Sequence, residues 1–144
     1  MGTATKLRPI APDLFDEGPG GPCLVGGRRK TDGRVVFPLP HGAARERYEP
    51  VRLAREGKLW SYTVQRFRPK SPPYAGADDE KSFRPFALGY VELPGQVIVE
   101  TRIAIDDPAR LTIGMPMRLT LVPFALQDGE SVLNFAFEPS KGAP

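Results

Sequence analysis

Residues 57–67 read GKLWSYTVQRF, and the rest of the chain is organised around them. If this stretch is extended, Trp60, Tyr62 and Val64 fall on one face, with Arg66 at its end. Leu59, Ser61, Thr63, Gln65 and Phe67 fall on the other. A period of two, filled with aromatic and β-branched side chains, is the pattern of a β-strand. The run of about eleven residues is long for a strand and suits one that bends to serve two sheets of a small barrel. Trp60 and Tyr62 are read as barrel core. Stacking on nucleic-acid bases is the other use of aromatics at such positions.

Toward the C-terminus, the 68–85 run RPKSPPYAGADDEKSFRP reads as a long polar loop, of a length that is usually functional or disordered. FALGYVEL (86–93) and QVIVETRIAI (96–105) read as two strands of a hairpin around Pro94-Gly95. Asp106-Asp107-Pro108 opens a helical turn with an aspartate cap and an early proline; Ile113-Gly114 ends it. MPMRLTLV (115–122) and SVLNFAFE (131–138) are the last two strands, joined by a turn at 127–130. Five strands with a short helix between the third and fourth make an all-β, five-stranded OB-fold barrel, whose closure removes most exposed edges.

Toward the N-terminus the pattern loosens. PDLFDE (12–17) fits one helical turn, with Pro12 early and Gly18 as the stop. Residues 24–37 read as a hairpin turning at Thr31-Asp32-Gly33, 43–48 as a short polar connection open to helix, and 51–53 as a short strand. The expected organisation is an arm with a short N-terminal helix (1–22), a ribbon-like hairpin (23–50), the barrel (51–139) and a tail (140–144).

Composition narrows the functional classes. Pro (17) and Gly (15) are abundant in the 144 residues, which argues for short strands and turns over long helices. The net charge of +3 permits an anionic partner without requiring one. Cys23 is the one cysteine, so no intrachain disulfide forms, and no apolar run has the length of a membrane span or a secretory leader. The expected location is cytoplasmic. His41 is the one histidine and lies in a Pro-Gly loop. Catalysis would need a nucleophile, a base and an orienting group together, and no such pattern is visible. Asp78-Asp79-Glu80 reads as a solvated run.

GKLWSYTVQRF, FALGYVEL, IDDPARLTIGMPMRLTL and the closing FAFEP together resemble a known family. Its members are small OB-fold proteins with an N-terminal rubredoxin-like zinc ribbon that accompany thiolases and related acyl-CoA enzymes. The resemblance spans roughly residues 12–139, and Ser61-Tyr62-Thr63 and Ile113-Gly114-Met115-Pro116 match its motifs in order and spacing. The family's first zinc knuckle does not match. Arg29 and Asp32 stand where its two cysteines would be, and the region of the second knuckle, between Pro40 and Tyr48, has none. Tetrahedral zinc needs four Cys, His or carboxylate ligands, so the expectation is a degenerate ribbon without zinc. An Arg29–Asp32 salt bridge is expected to take the place of the cross-link.

The resemblance implies a non-catalytic accessory subunit that completes the acyl-CoA or CoA channel of a partner. That partner would be a thiolase, an acyltransferase of that fold, or a hydratase or aldolase. Nine Lys and Arg against four acidic residues lie between 28 and 58. They suit a solvated surface, a docking face for an acidic partner, or contact with the phosphates of coenzyme A. For the last, the candidates are Arg28, Arg29 and Lys30 at the hairpin tip. Tyr74, Phe83 and Phe86 are the candidates for the apolar wall of an acyl or pantetheine channel. A single-stranded nucleic-acid-binding OB module is the alternative.

Overall fold

The computed structural model describes residues 9–11, 14–18, 20–66, 85–126 and 129–140. Among these residues, nine strands form an N-terminal ribbon and a closed barrel. The ribbon comprises β1 (Phe15–Gly18), β2 (Gly21–Arg29), β3 (Val35–Val36) and β4 (Tyr48–Arg52). The barrel comprises β5 (Glu56–Gln65), β6 (Phe86–Leu93), β7 (Val97–Ile103), β8 (Pro116–Ala125) and β9 (Ser131–Pro139). A 3-10 turn, Gly42–Arg47, precedes β4, and a second, Pro108–Arg110, lies between β7 and β8. Asp107 caps the second turn by accepting the Ala109 N–H at 3.0 Å.

The barrel order is β5-β6-β7-β9-β8, closed by β8 on β5, which is the OB-fold arrangement. Closure is narrow at one seam. β7 and β9 run parallel and pair at Ile103 and Phe137, with the Ala104 N–H donating to the Phe137 carbonyl at 2.8 Å. Gly57 lets β5 pass close to β6, because a Cβ there would run into the Glu92 carbonyl oxygen.

β5 is not the uninterrupted alternation its sequence suggests. Leu59 pairs with Val91, but Ser61 pairs with Tyr90, so Trp60 is an extra residue at a β-bulge. The bulge switches the inward face. Leu59 is fully buried before it, while Tyr62 packs against the core after it and donates its hydroxyl to the Leu111 carbonyl at 3.3 Å. Trp60 is 56% exposed. The assignment of Tyr62 to the core stands, and that of Trp60 is corrected.

In the ribbon, β2 is the central strand, pairing with β1, β3 and β4. The helical turn read at 12–17 is also corrected, since Phe15–Gly18 is a strand paired with β2 from Phe15↔Leu24 to Gly18↔Gly21. Local propensity loses here because the strand satisfies its backbone against β2 and buries Phe15. The short strand read near Val51 lies in β4 and pairs with β2, so it belongs to the ribbon sheet.

Ribbon and barrel share one hydrophobic core. Phe15, Leu24 and Leu53 cluster with Leu59, Val91, Val99, Met117 and Phe137 of the barrel. Two further contacts tie the units together. Phe37 meets Phe135 edge-on with ring centroids 5.6 Å apart, and the Ala54 N–H donates to Gln96 Oε1 at 2.8 Å.

Candidate functional site

The hairpin tip turns where its sequence predicts, and Asp32 organises it. Arg29 Nε and Nη2 donate to Asp32 Oδ1 and Oδ2 at 3.0 and 2.8 Å, a two-point fork. Oδ1 also accepts the Arg34 N–H at 3.0 Å. The Arg29 hydrogen bond, followed by that from the Arg34 backbone, lowers the Asp32 carboxyl to about 2. The same fork raises the Arg29 guanidinium above its ordinary value. At these two residues, where the resemblance expects the first zinc knuckle, the side chains do not fit a zinc ion, because a guanidinium cannot act as a ligand and it engages both carboxylate oxygens. Among the described residues no three of His, Cys, Asp or Glu come together to hold a metal. Cys23 is buried in β2, and His41 is exposed just before the first 3-10 turn.

Of the predicted binding residues, Arg28 and Lys30 are exposed at the tip, while Arg29 is committed to Asp32. Phe86 is half-buried, and the Arg102 guanidinium lies 3.9 Å above its ring. Tyr74 and Phe83 lie outside the described residues. The tip and Phe86 are not brought together. The ribbon meets β6 at its Leu93 end, where Arg34, Val35 and Leu93 line one cleft. Phe86 begins that strand, seven residue steps away, or about 23 Å at the usual rise.

Two features were missed in the sequence. The first is an exposed apolar set formed by Trp60, Tyr90, Ile98 and Ile113. Trp60 and Tyr90 meet edge-on at 6.3 Å, and the Tyr90 hydroxyl donates to Glu100 Oε2 at 3.3 Å. Leu59 donates to Met115 O and accepts from Gly114 N, which ties the loop bearing Ile113 to the strand bearing Trp60. No period-2 pattern announces the bulge that turns Trp60 outward. The second feature is the opening of the narrow seam. Beyond the Ile103–Phe137 pair, Ala104, Ile105, Asp106, Arg118, Glu138 and Pro139 line a groove of about 520 Å³. Arg118 and Glu138 are ion-paired within it at 2.7 Å.

The chain is thus a closed five-stranded OB barrel that shares its core with an N-terminal ribbon and turns an aromatic pair outward on its wall. The family described as "ChsH2, C-terminal OB-fold domain" matches residues 50–122, and the chain belongs to that family. It is 25% identical over 120 residues to a "DUF35 domain-containing scaffold protein" of Methanocaldococcus jannaschii, covering 81% of this chain and 79% of the relative. Among solved structures it is similar to a chain described as "Ltp2-ChsH2(DUF35) aldolase", at 21% identity and a TM-score of 0.54. That match covers 81% of this chain and 84% of the other, and it shows a shared fold. No helix among the described residues is long and apolar enough to cross a membrane.

Proposed function

We propose that this chain is a non-catalytic accessory subunit that docks on a larger enzyme of acyl-CoA metabolism and supports its assembly. The observation that carries the reading is the outward Trp60–Tyr90 pair, with Ile113 on the adjoining loop. Tryptophan and tyrosine are the residues most often found at the energetic centre of protein interfaces. Kinship to a protein described as a scaffold, and the fold shared with an aldolase complex, support the same role. The nucleophilic chemistry then belongs to the partner, which is thiolase-like or of the hydratase and aldolase type.

In this reading Arg28 and Lys30 supply cations for the phosphates of coenzyme A at the rim of the partner's channel. Tyr74, Phe83 and Phe86 contribute to its apolar wall. The separation of the tip from Phe86 favours a role for each at a different part of the channel over one compact pocket. The test is affinity capture with the tagged chain, followed by mass spectrometry and a thiolysis or retro-aldol assay. The expected result is an acyl-CoA enzyme captured by the wild type and lost with Trp60→Ala, with activity in the complex and none in the chain alone. Turnover by the isolated chain would sink the proposal. The nucleic-acid reading gains from the exposed Trp60 and Tyr90. It loses from Glu92 and Glu100, which alternate with buried residues on the same outward face as Tyr90 and Ile98. Salt-dependent binding of a single-stranded oligonucleotide would restore it.

A further inference from the structure

A cleft of about 450 Å³ lies where the ribbon meets the barrel, with Arg34 and Val35 on one side and Leu93, Gln96, Val97 and Ile98 on the other. Its size falls in the range of small-molecule sites, which favour junctions between structural units. The ribbon contributes one cation to the cleft, Arg34, and the nearest carboxylate in sequence is Asp32. That carboxylate is already held by the Arg29 fork. The guanidinium of Arg34 has no ion-pair or hydrogen-bond partner among the described residues, and only its backbone N–H is engaged by Asp32. Arg28 stands across from Val35 on one side and Glu49 on the other and lies outside the lining of the cleft. The barrel side is apolar through Leu93, Val97 and Ile98, and Ile98 remains 40% exposed. Gln96 uses its side-chain oxygen on Ala54, which leaves its amide nitrogen as a donor. Glu92 also lines the cleft, at its β6 edge, and stands opposite Lys58 in the β5–β6 register.

We propose that this cleft is a binding site for a small amphipathic anion. The carboxylate or phosphate head sits on Arg34, and a short apolar chain lies along Val35, Val97 and Ile98. A guanidinium without a carboxylate of its own matches both heads through paired N–H donors. The apolar strip opposite rewards a chain that leaves water. The site is complete within this chain and does not depend on the enzyme partner proposed above.

The test is a titration of the full-length, isotope-labelled chain followed by amide NMR shifts. The probes are hexanoate, hexyl phosphate, hexanol (chain without head) and inorganic phosphate (head without chain). The expected result is saturable shifts for one or both amphipathic anions at Arg34, Val35, Gln96, Val97 and Ile98. Hexanol and phosphate should bind about tenfold or more weakly. The tighter of the two anions identifies the head group. Arg34→Ala should lower affinity about tenfold and Arg34→Lys less, because lysine keeps the charge and loses the fork. Unchanged spectra elsewhere would show that both variants fold. Equal binding of hexanol, shifts confined to the Phe86 end of β6, or an Arg34→Ala variant with wild-type affinity would each overturn the proposal. Capture of an enzyme partner is read separately, so either proposal can fail without the other.

Discussion

The bulge at Trp60 makes a prediction that runs against the ordinary ranking of core residues. Tryptophan is the larger side chain, and the alternating pattern of 57–67 places it inside. In the folded chain Leu59 is 0% exposed and Trp60 is 56% exposed. Truncating a buried leucine to alanine costs about 2–5 kcal/mol. Leu59 sits in the core shared by ribbon and barrel, so Leu59→Ala should fall near the middle, about 3 kcal/mol. A fully buried tryptophan would cost about 3–5 kcal/mol. With just under half of the side chain covered, Trp60→Ala should cost about 1.5–2 kcal/mol, much of it from the contact with Tyr90. Urea unfolding followed by circular dichroism would measure both, with equal slopes confirming that the midpoints report stability. A typical domain stability of about 5–15 kcal/mol leaves both variants folded. The reasoning fails if Trp60→Ala is the more damaging of the two. Because Trp60 is the one tryptophan, iodide quenching of its fluorescence gives an independent check. Efficient quenching in the native protein is expected, and a shielded signal would place the indole inside.

Three other predictions address the ribbon and its junction with the barrel. Asp32 is held at about 2 in the folded chain, below the ordinary aspartate value of 3.8. Its contribution is therefore fully present above pH 4 and is lost as pH falls through about 2. The amide signals of Arg29 and Arg34 should move in that window, and Asp32→Asn should remove the acid-dependent change. Metal analysis of the purified chain should find well under one zinc per molecule, and a full equivalent that survives chelation would overturn the degenerate-ribbon reading. Gly57→Val should destabilise by at least about 2 kcal/mol in urea, because a Cβ meets the Glu92 carbonyl and the backbones must separate.

What the sequence made legible were elements whose pairing is local or whose pattern is strict. FALGYVEL became a strand with its predicted ends, since its buried residues alternate and Pro94-Gly95 closes a tight hairpin with β7. The Arg29–Asp32 fork was also legible, as it spans three residues across a recognisable turn. Features set by distant partners were not. Residues 15–18 carry no sign that β2 will pair with them, and the strand near Val51 does not announce which sheet it joins. The bulge was hidden because both faces of 57–67 contain apolar groups, so shifting the alternation by one residue leaves a plausible pattern. At the candidate site, Arg102 reaches Phe86 only through the register of β6 and β7, where Ala87 faces Ile103 and Leu88 faces Arg102.

Packing explains how a ribbon with a single cysteine can keep its shape. In small zinc domains the metal supplies folding energy outright, and the chain is unfolded without it. The Arg29–Asp32 fork alone cannot replace that contribution, because it lies at the surface, where ion pairs contribute about 0–1 kcal/mol. The burial of Phe15, Leu24 and Leu53 is a better account. These residues come from β1, β2 and the position just after β4, and all three lie in the cluster that fills the barrel. At about 1.5–3 kcal/mol for each fully buried large apolar side chain, they stabilise the ribbon on the scale of several such ion pairs. The fork then sets the turn, while the barrel holds the sheet. It follows that Leu24→Ala should loosen ribbon and barrel together in a single transition, whereas Asp32→Asn should disturb the tip and leave the barrel's unfolding midpoint nearly unchanged. Hydrogen exchange resolved by residue would separate the two outcomes. A ribbon that exchanges early in Leu24→Ala while the barrel keeps wild-type protection would refute the shared core.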